Sequence, residues 1–239
     1  MIPRGDSRQR RRNPNAESTC SAVELLPHAF LFHFSVPCAR VADLPKRGTW
    51  PIGTAAAPLP LFSALDQGAS NVVLRAAWNE GGFGVAAEVK GRTMPPHAKA
   101  DELSAGDGLH VWIDTRNAQG AHRAGRFCHR FALLPAVGRG KSARPMVAAI
   151  EIPRAREPAP AGDLTAVRLQ SEVTSTGYRI EAWFPAATLN GYDPENSSRI
   201  GFHAVVKDSE LGDRSLTVGE DFPTDHDPSL WTTLDLVRD

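Results

Sequence analysis

The residue types able to do chemistry are densest in two short stretches. His110, Trp112 and Asp114 stand two apart in 109–114, and Cys128 and Arg130 stand two apart in 127–133. In an extended chain, side chains two apart share a face. Each set therefore shares one face if its segment is a strand. The alternate positions Leu109, Val111, Ile113, Phe131 and Leu133 are apolar and claim the core. The His110 face then looks away from the core, with Arg130 beside it if the two strands pair. An indole next to guanidinium and imidazole groups suits a polar small ligand, such as a sugar or an anion. By the same alternation Arg75, Glu88, Glu181, Trp183 and His203 border the patch. The candidate ligand-binding set is His110, Trp112, Asp114, Arg130, Glu88, Arg75, Trp183 and His203. The competing interpretation is a solvated outer sheet face with an ordinary mix of charges.

Metal and catalytic patterns are weaker. His110, His122, Cys128 and His129 have zinc-type donors, but no CxxC, HxH or HExxH spacing joins them. Asp107, Asp114 and Asp208 near loop ends, and Asp221, Asp225 and Asp227 in one loop, supply oxygens of the kind calcium takes. Asp at a turn more often bonds backbone N–H groups. No cofactor is expected, with calcium the one metal kept in view. No GxSxG surrounds any serine. Cys128 and His129 are neighbours that diverge on a strand. Nothing fixes the separation of Glu88 and Glu181 as a glycosidase pair would need. Gly81-Gly82-Phe83-Gly84 reads as a hairpin turn and not a phosphate loop, since no helix follows. The expectation is a non-catalytic protein.

Strands must position these residues. Val72, Leu74, Ala76 and Trp78 alternate, turn at 79–82, and return as Phe83, Val85, Ala87 and Val89. Val167, Leu169, Ser171 and Val173 turn at Thr176-Gly177 and return as Tyr178, Ile180, Ala182 and Phe184. Phe202, Ala204 and Val206 form another strand, and Leu230, Thr232, Leu234 and Leu236 the last. Residues 29–37, where Phe30, Phe32, Phe34 and Val36 alternate, read as the first. Loops rich in Pro and Gly fill 91–107, 135–145 and 153–163, and a short helical turn is expected at 185–189. Many short strands with little helix predict an all-β fold, an antiparallel two-sheet β-sandwich. Residues 1–22 read as a disordered Arg-rich tail and 23–239 as one domain. Trp78 is expected in the core, and Trp112 and Trp183 as contact residues.

Composition narrows the function. The 239 residues are 41% hydrophobic, enough for a sizeable core. Lys+Arg and Asp+Glu both number 27, which excludes a generic nucleic-acid binder needing a basic excess. No apolar run approaches the roughly 20 residues that span a bilayer. Glu24, Pro27, His28 and His33 interrupt the only stretch resembling a signal peptide. Three cysteines, Cys20, Cys38 and Cys128, are too few for a disulfide framework. A cytoplasmic protein with reduced thiols is expected.

Three segments carry a resemblance. They are Gly106-Asp107-Gly108-Leu109-His110-Val111-Trp112-Ile113-Asp114, then Gly177-Tyr178-Arg179-Ile180-Glu181-Ala182-Trp183-Phe184-Pro185, then Ile200-Gly201-Phe202-His203-Ala204-Val205-Val206-Lys207-Asp208 with Asp227-Pro228-Ser229-Leu230-Trp231 behind. In order and spacing, over roughly 70–239, the chain resembles the family 9 carbohydrate-binding modules and the related DOMON-like sandwiches. The resemblance implies a β-sandwich without catalytic machinery. It also implies a sugar end held between two tryptophans, which would fall near Ser104 and Asp225, and a glutamate at the place of His110. This chain has Ser, Asp and His there. The function expected is a ligand-binding module for a carbohydrate or other polar small molecule. The alternative is a protein–protein interaction module without a small ligand.

Overall fold

The computed structural model describes residues 34–42, 49–61, 71–99, 101–138, 140–217 and 222–238. The expected tail at 1–22, Cys20 and the expected strand start at 29–33 lie outside these residues. The fold is all-β. Its strands are β1 (Ser35–Arg40), β2 (Val72–Asn79), β3 (Gly82–Lys90), β4 (Gly108–Asp114), β5 (Cys128–Val137), β6 (Arg144–Ala149), β7 (Arg168–Thr174), β8 (Gly177–Pro185), β9 (Arg199–Lys207), β10 (Arg214–Ser215) and β11 (Thr232–Val237). Among the described residues one α-helix, α1 (Pro51–Ala55), joins them. The expected helical turn at 185–189 is a single 3-10 turn, Ala186–Thr188.

Both hairpins form where turn chemistry placed them. The β2–β3 turn pairs Asn79 with Gly82, and the Asn79 side chain accepts the Gly81 N–H at 2.8 Å. The β7–β8 turn pairs Thr174 with Gly177. The sheet order, however, is one path, β6-β5-β4-β9-β11-β1-β2-β3-β8-β7, with β10 on β9. The described strands are hydrogen-bonded into one nearly closed, barrel-like sheet, where two sheets were expected. The reason lies in β1. Residues 35–39 run parallel to β11, while Ala39 and Arg40 run parallel to β2. One strand thus bridges two otherwise antiparallel groups. Nothing in the local pattern of β1 announces parallel pairing, since period-two alternation is common to both ladder types.

The core lies between the two groups. Val111, Ile113, Phe131, Ile180 and Phe202 are all in it, as alternation requires. Phe131 of β5 meets Phe184 of β8 with ring centroids 4.5 Å apart, and Phe83 of β3 meets Phe202 of β9 edge to face at 5.7 Å. Trp78 is fully buried and donates its indole N–H to the Cys38 carbonyl at 3.0 Å. Burial pushes the Cys38 thiol well above its usual range.

A buried ion network closes one end. Arg92 lies just past β3 with its side chain 1% exposed. It pairs with Asp107 at 3.0 Å and Asp208 at 2.5 Å. Asp107 also accepts the N–H groups of His97 and Ser209, at 2.7 and 2.8 Å. Asp208 accepts those of Glu210 and Leu211. Removing one partner of such a network strands the others without solvent. Arg92→Met is therefore expected to cost about 3 kcal/mol in urea unfolding, and a loss under about 1 kcal/mol would show that water replaces the guanidinium.

Candidate functional site

The central register is the one alternation gives. Trp112 stands between Arg130 of β5 and His203 of β9. The Arg130 guanidinium lies over the Trp112 ring, 4.7 Å from its centroid, and the His203 ring is 5.1 Å away on the other side. His110 is two residues up the same strand and on the same face. Leu109, Val111 and Ile113 fill the core behind them. The structure thus brings together His110, Trp112, Arg130 and His203.

This face is not solvated, contrary to what its polar residues suggest. Trp112 is 2% exposed, and His110 and His203 are 0% exposed. Loops cover them with a second, smaller apolar cluster of Trp112, Ala124, Cys128, Ile152 and Trp231. The loop at 222–231 is held from beneath by two indoles. Trp112 donates to the Asp225 carbonyl at 3.0 Å, and Trp231 to the Thr224 carbonyl at 2.7 Å. Sequence spacing could not reveal this cover, because it comes from loops distant in the chain. The Trp231 indole, missed as a site-shaping residue, had no alternation partner to flag it.

The covered face carries unmet polar atoms. His110 Nε2 donates to the Gly106 carbonyl at 2.9 Å, which fixes the tautomer and leaves Nδ1 buried without a partner. His203 Nδ1 bonds the Thr217 hydroxyl at 3.1 Å, and its Nε2 has none. Burial lowers the His110 pKa to about 4 and that of His203 to about 3, so both rings are neutral near pH 7. Arg130 Nε is buried and unpartnered too. Desolvation lowers the Arg130 pKa, with the Asp225 charge opposing.

Asp114 ends β4 as a structural residue. Its carboxylate accepts the Arg116 N–H at 3.0 Å and the Ala118 N–H at 2.6 Å, forming the turn out of the strand. Burial raises its pKa. Asp227 likewise accepts the Ser229 N–H at 2.9 Å. Among the described residues, no three or more His, Cys, Asp or Glu gather as a metal would require. Asp221 lies outside them.

The remaining candidates sit elsewhere. Arg75, Glu88 and Trp183 belong to the outer face of β2, β3 and β8, across the core from Trp112, so the eight residues form two groups and not one patch. Arg75 donates to the Ala56 carbonyl at 3.1 Å. Glu88 pairs with Lys90 at 2.8 Å. Trp183 is 1% exposed in a cluster with Ile52 of α1, so it is packing and not an exposed contact residue. Gly84 makes that packing work: a Cβ there would collide with Ile52 and Trp183. Glu181, under α1, accepts the Gly53 N–H at 3.1 Å, and burial raises its pKa.

A cavity of about 510 Å³ lies beside β5, walled by 128–131, 149–152 and 157–162 with Ala155, Leu164 and Thr188. Its origin is local. β6 pairs with β5 only from Phe131 onward, and beyond it one bond remains, Ile150 N–H to the Arg130 carbonyl at 2.9 Å. Pro153, Pro158, Pro160 and Gly162 stop the chain continuing as a ladder strand. The chain swings out and leaves space. It is fastened by Arg123, which donates to the Arg154 carbonyl at 2.9 Å, and by the Arg156 N–H to the Ala124 carbonyl at 2.7 Å. Arg154 takes a left-handed backbone conformation, φ 57°. Of the eight candidates, Arg130 alone lines this cavity. The Cys128 thiol beside it is pushed up to about 12 by burial, which favours the protonated thiol.

No family model matches the sequence, and no curated protein matches it either. Solved structures do match the fold. One is a family 9 carbohydrate-binding module from Caldicellulosiruptor kristjanssonii in complex with cellotriose, with a TM-score of 0.60 and 15% identity over 85% of this chain and 93% of that chain. A family 9 module from the same organism in complex with glucose gives 0.61 and 14% over 85% and 96%. A putative carbohydrate-binding protein from Bacteroides uniformis gives 0.54 and 14% over 86% and 99%. The chain has the fold of family 9 carbohydrate-binding modules. None of the three is described as DOMON-like.

Proposed function

We propose that this protein is a non-catalytic module that binds a saccharide in the cavity beside β5, with Arg130 as its polar anchor. The observation that carries this is Arg130 itself. It lines a cavity of about 510 Å³, has its guanidinium over the Trp112 ring, and keeps a buried Nε without a partner. Cavities of this size suit small ligands, and a few fixed polar groups set their orientation. Two of the structural neighbours hold glucose or cellotriose, which supports the ligand class. We read the two antiparallel strand groups as the layers of a sandwich, which the Phe131–Phe184 contact supports. The large exposed apolar residues among those described, Met94, Val173, Phe222 and Val237, fall on four separate segments.

Thermal unfolding with glucose, cello-oligosaccharides and acidic sugars tests this. A ligand at about 100 times its Kd adds about 2.7 kcal/mol, or roughly 5–10 °C in Tm for a chain of this size. Arg130→Ala should remove the shift. If no saccharide moves Tm in the native protein, the proposal fails.

A further inference from the structure

Arg130 differs from the arginines that hold a carboxylate. Arg40, Arg92, Arg179 and Arg199 each have a carboxylate oxygen close by, at 2.7, 2.5, 2.6 and 2.7 Å. Arg130 has no carboxylate within ion-pair distance among the described residues, although it is half-buried. Asp225 acts on it only from farther away and is engaged by His226 at 2.6 Å. The histidines on the same face, His110 and His203, carry no negative charge in either protonation state and so do not balance it. The cavity's own carboxylates, Glu151 and Glu157, are exposed, and Glu157 stands 3.8 Å from Arg126. Exposed charges are screened by water and salt, while a half-buried charge is screened much less. A guanidinium withdrawn from water without an anion is costly, and its planar fork matches a carboxylate or phosphate.

We infer that the cavity takes an anionic ligand, a carboxylate- or phosphate-bearing sugar whose acidic group docks on Arg130, in preference to a neutral sugar. This rests on the cavity being the saccharide site. The guanidinium N–H groups donate to the two oxygens of the acid group, and the Trp112 ring behind the guanidinium fixes its plane.

The test is calorimetric titration of the full chain with D-glucuronate, glucose 6-phosphate, inorganic phosphate and glucose at matched ionic strength. A charge-assisted pair gives at least about a tenfold tighter Kd than the neutral analogue. Glucuronate or glucose 6-phosphate should therefore exceed glucose by that factor, and raising salt should weaken only the anions. Arg130→Met keeps the aliphatic stem and should erase the difference, while Arg130→Lys should restore part of it. The salt dependence is read on the native protein, so it stands if a variant does not fold. Glucose binding as tightly as the anions overturns the anionic assignment and leaves the saccharide site intact. Inorganic phosphate binding through Arg130 without either acidic sugar supports the anion site and overturns the saccharide reading. No anion binding at all overturns the inference.

Discussion

Lowering the pH from 7 to 4.5 should destabilise this protein by several kcal/mol. The cause is His110 and His203, both buried and neutral. Their folded pKa values, about 4 and about 3, lie below the ordinary value of 6.5. The unfolded chain therefore binds protons first as pH falls. Stability from these groups is whole above pH 6.5 and is lost below it, down to about 4 for His110 and about 3 for His203. Each unit of pH in that window costs about 1.4 kcal/mol per histidine. At pH 4.5 the pair costs about 5 kcal/mol, a large share of the 5–15 kcal/mol typical of a folded protein. Glu181 and Asp114 act in the opposite sense, because burial raises their pKa values and the folded state gains protons first. Their effect belongs to the carboxylate range and offsets part of the loss below about pH 5. Urea unfolding at pH 7, 5.5 and 4.5 measures the slope, and His203→Asn should roughly halve it. Equal stability at all three values would mean that the rings reach water in the native state.

Trp112→Ala should cost about 3–5 kcal/mol. Its indole is 2% exposed, packs on Ile152 and Trp231, and bonds the Asp225 carbonyl. Removing it empties the centre of the outer cluster and frees the loop at 222–231. The stacked face of Arg130 goes with it. Trp112→Phe should recover part of the packing but not the hydrogen bond. Chemical unfolding at pH 7 gives the number, and a loss below about 1 kcal/mol would show that the loops collapse onto the vacancy. For binding studies the consequence is practical: lost affinity in Trp112→Ala would mix folding with recognition, whereas Arg130 is the cleaner probe.

Period-two alternation placed most strands in the chain, because a half-buried strand must write its two faces into its residue types. The placement of Arg130 against Trp112 followed from the same rule applied to two neighbouring strands. Two things did not follow. The β1 strand chooses parallel partners on both sides, and that choice lies in residues far away in sequence. β6 (Arg144–Ala149) is a short edge strand with a Pro, and its exposed residues carry no alternation. The site shows the same division. Which face a residue occupies is local, so His110, Trp112 and Arg130 were legible as a group. Whether that face meets water depends on loops that fold over it, so the burial of Trp112 and His203 was not. Arg75, Glu88 and Trp183 joined the set by alternation alone, and only the strand order puts the core between them and Arg130.

The most direct test of the central claim is residue-resolved. Two-dimensional NMR of the labelled protein, titrated with the saccharide that gives the largest thermal shift, should move the Arg130 Nε–H and the amides of Glu151 and Ile152 together. The Trp183 and Gly53 signals should stay in place. Shifts confined to the Trp183 side of the molecule, or an Arg130 resonance that does not respond at saturation, would contradict a ligand site in the cavity beside β5.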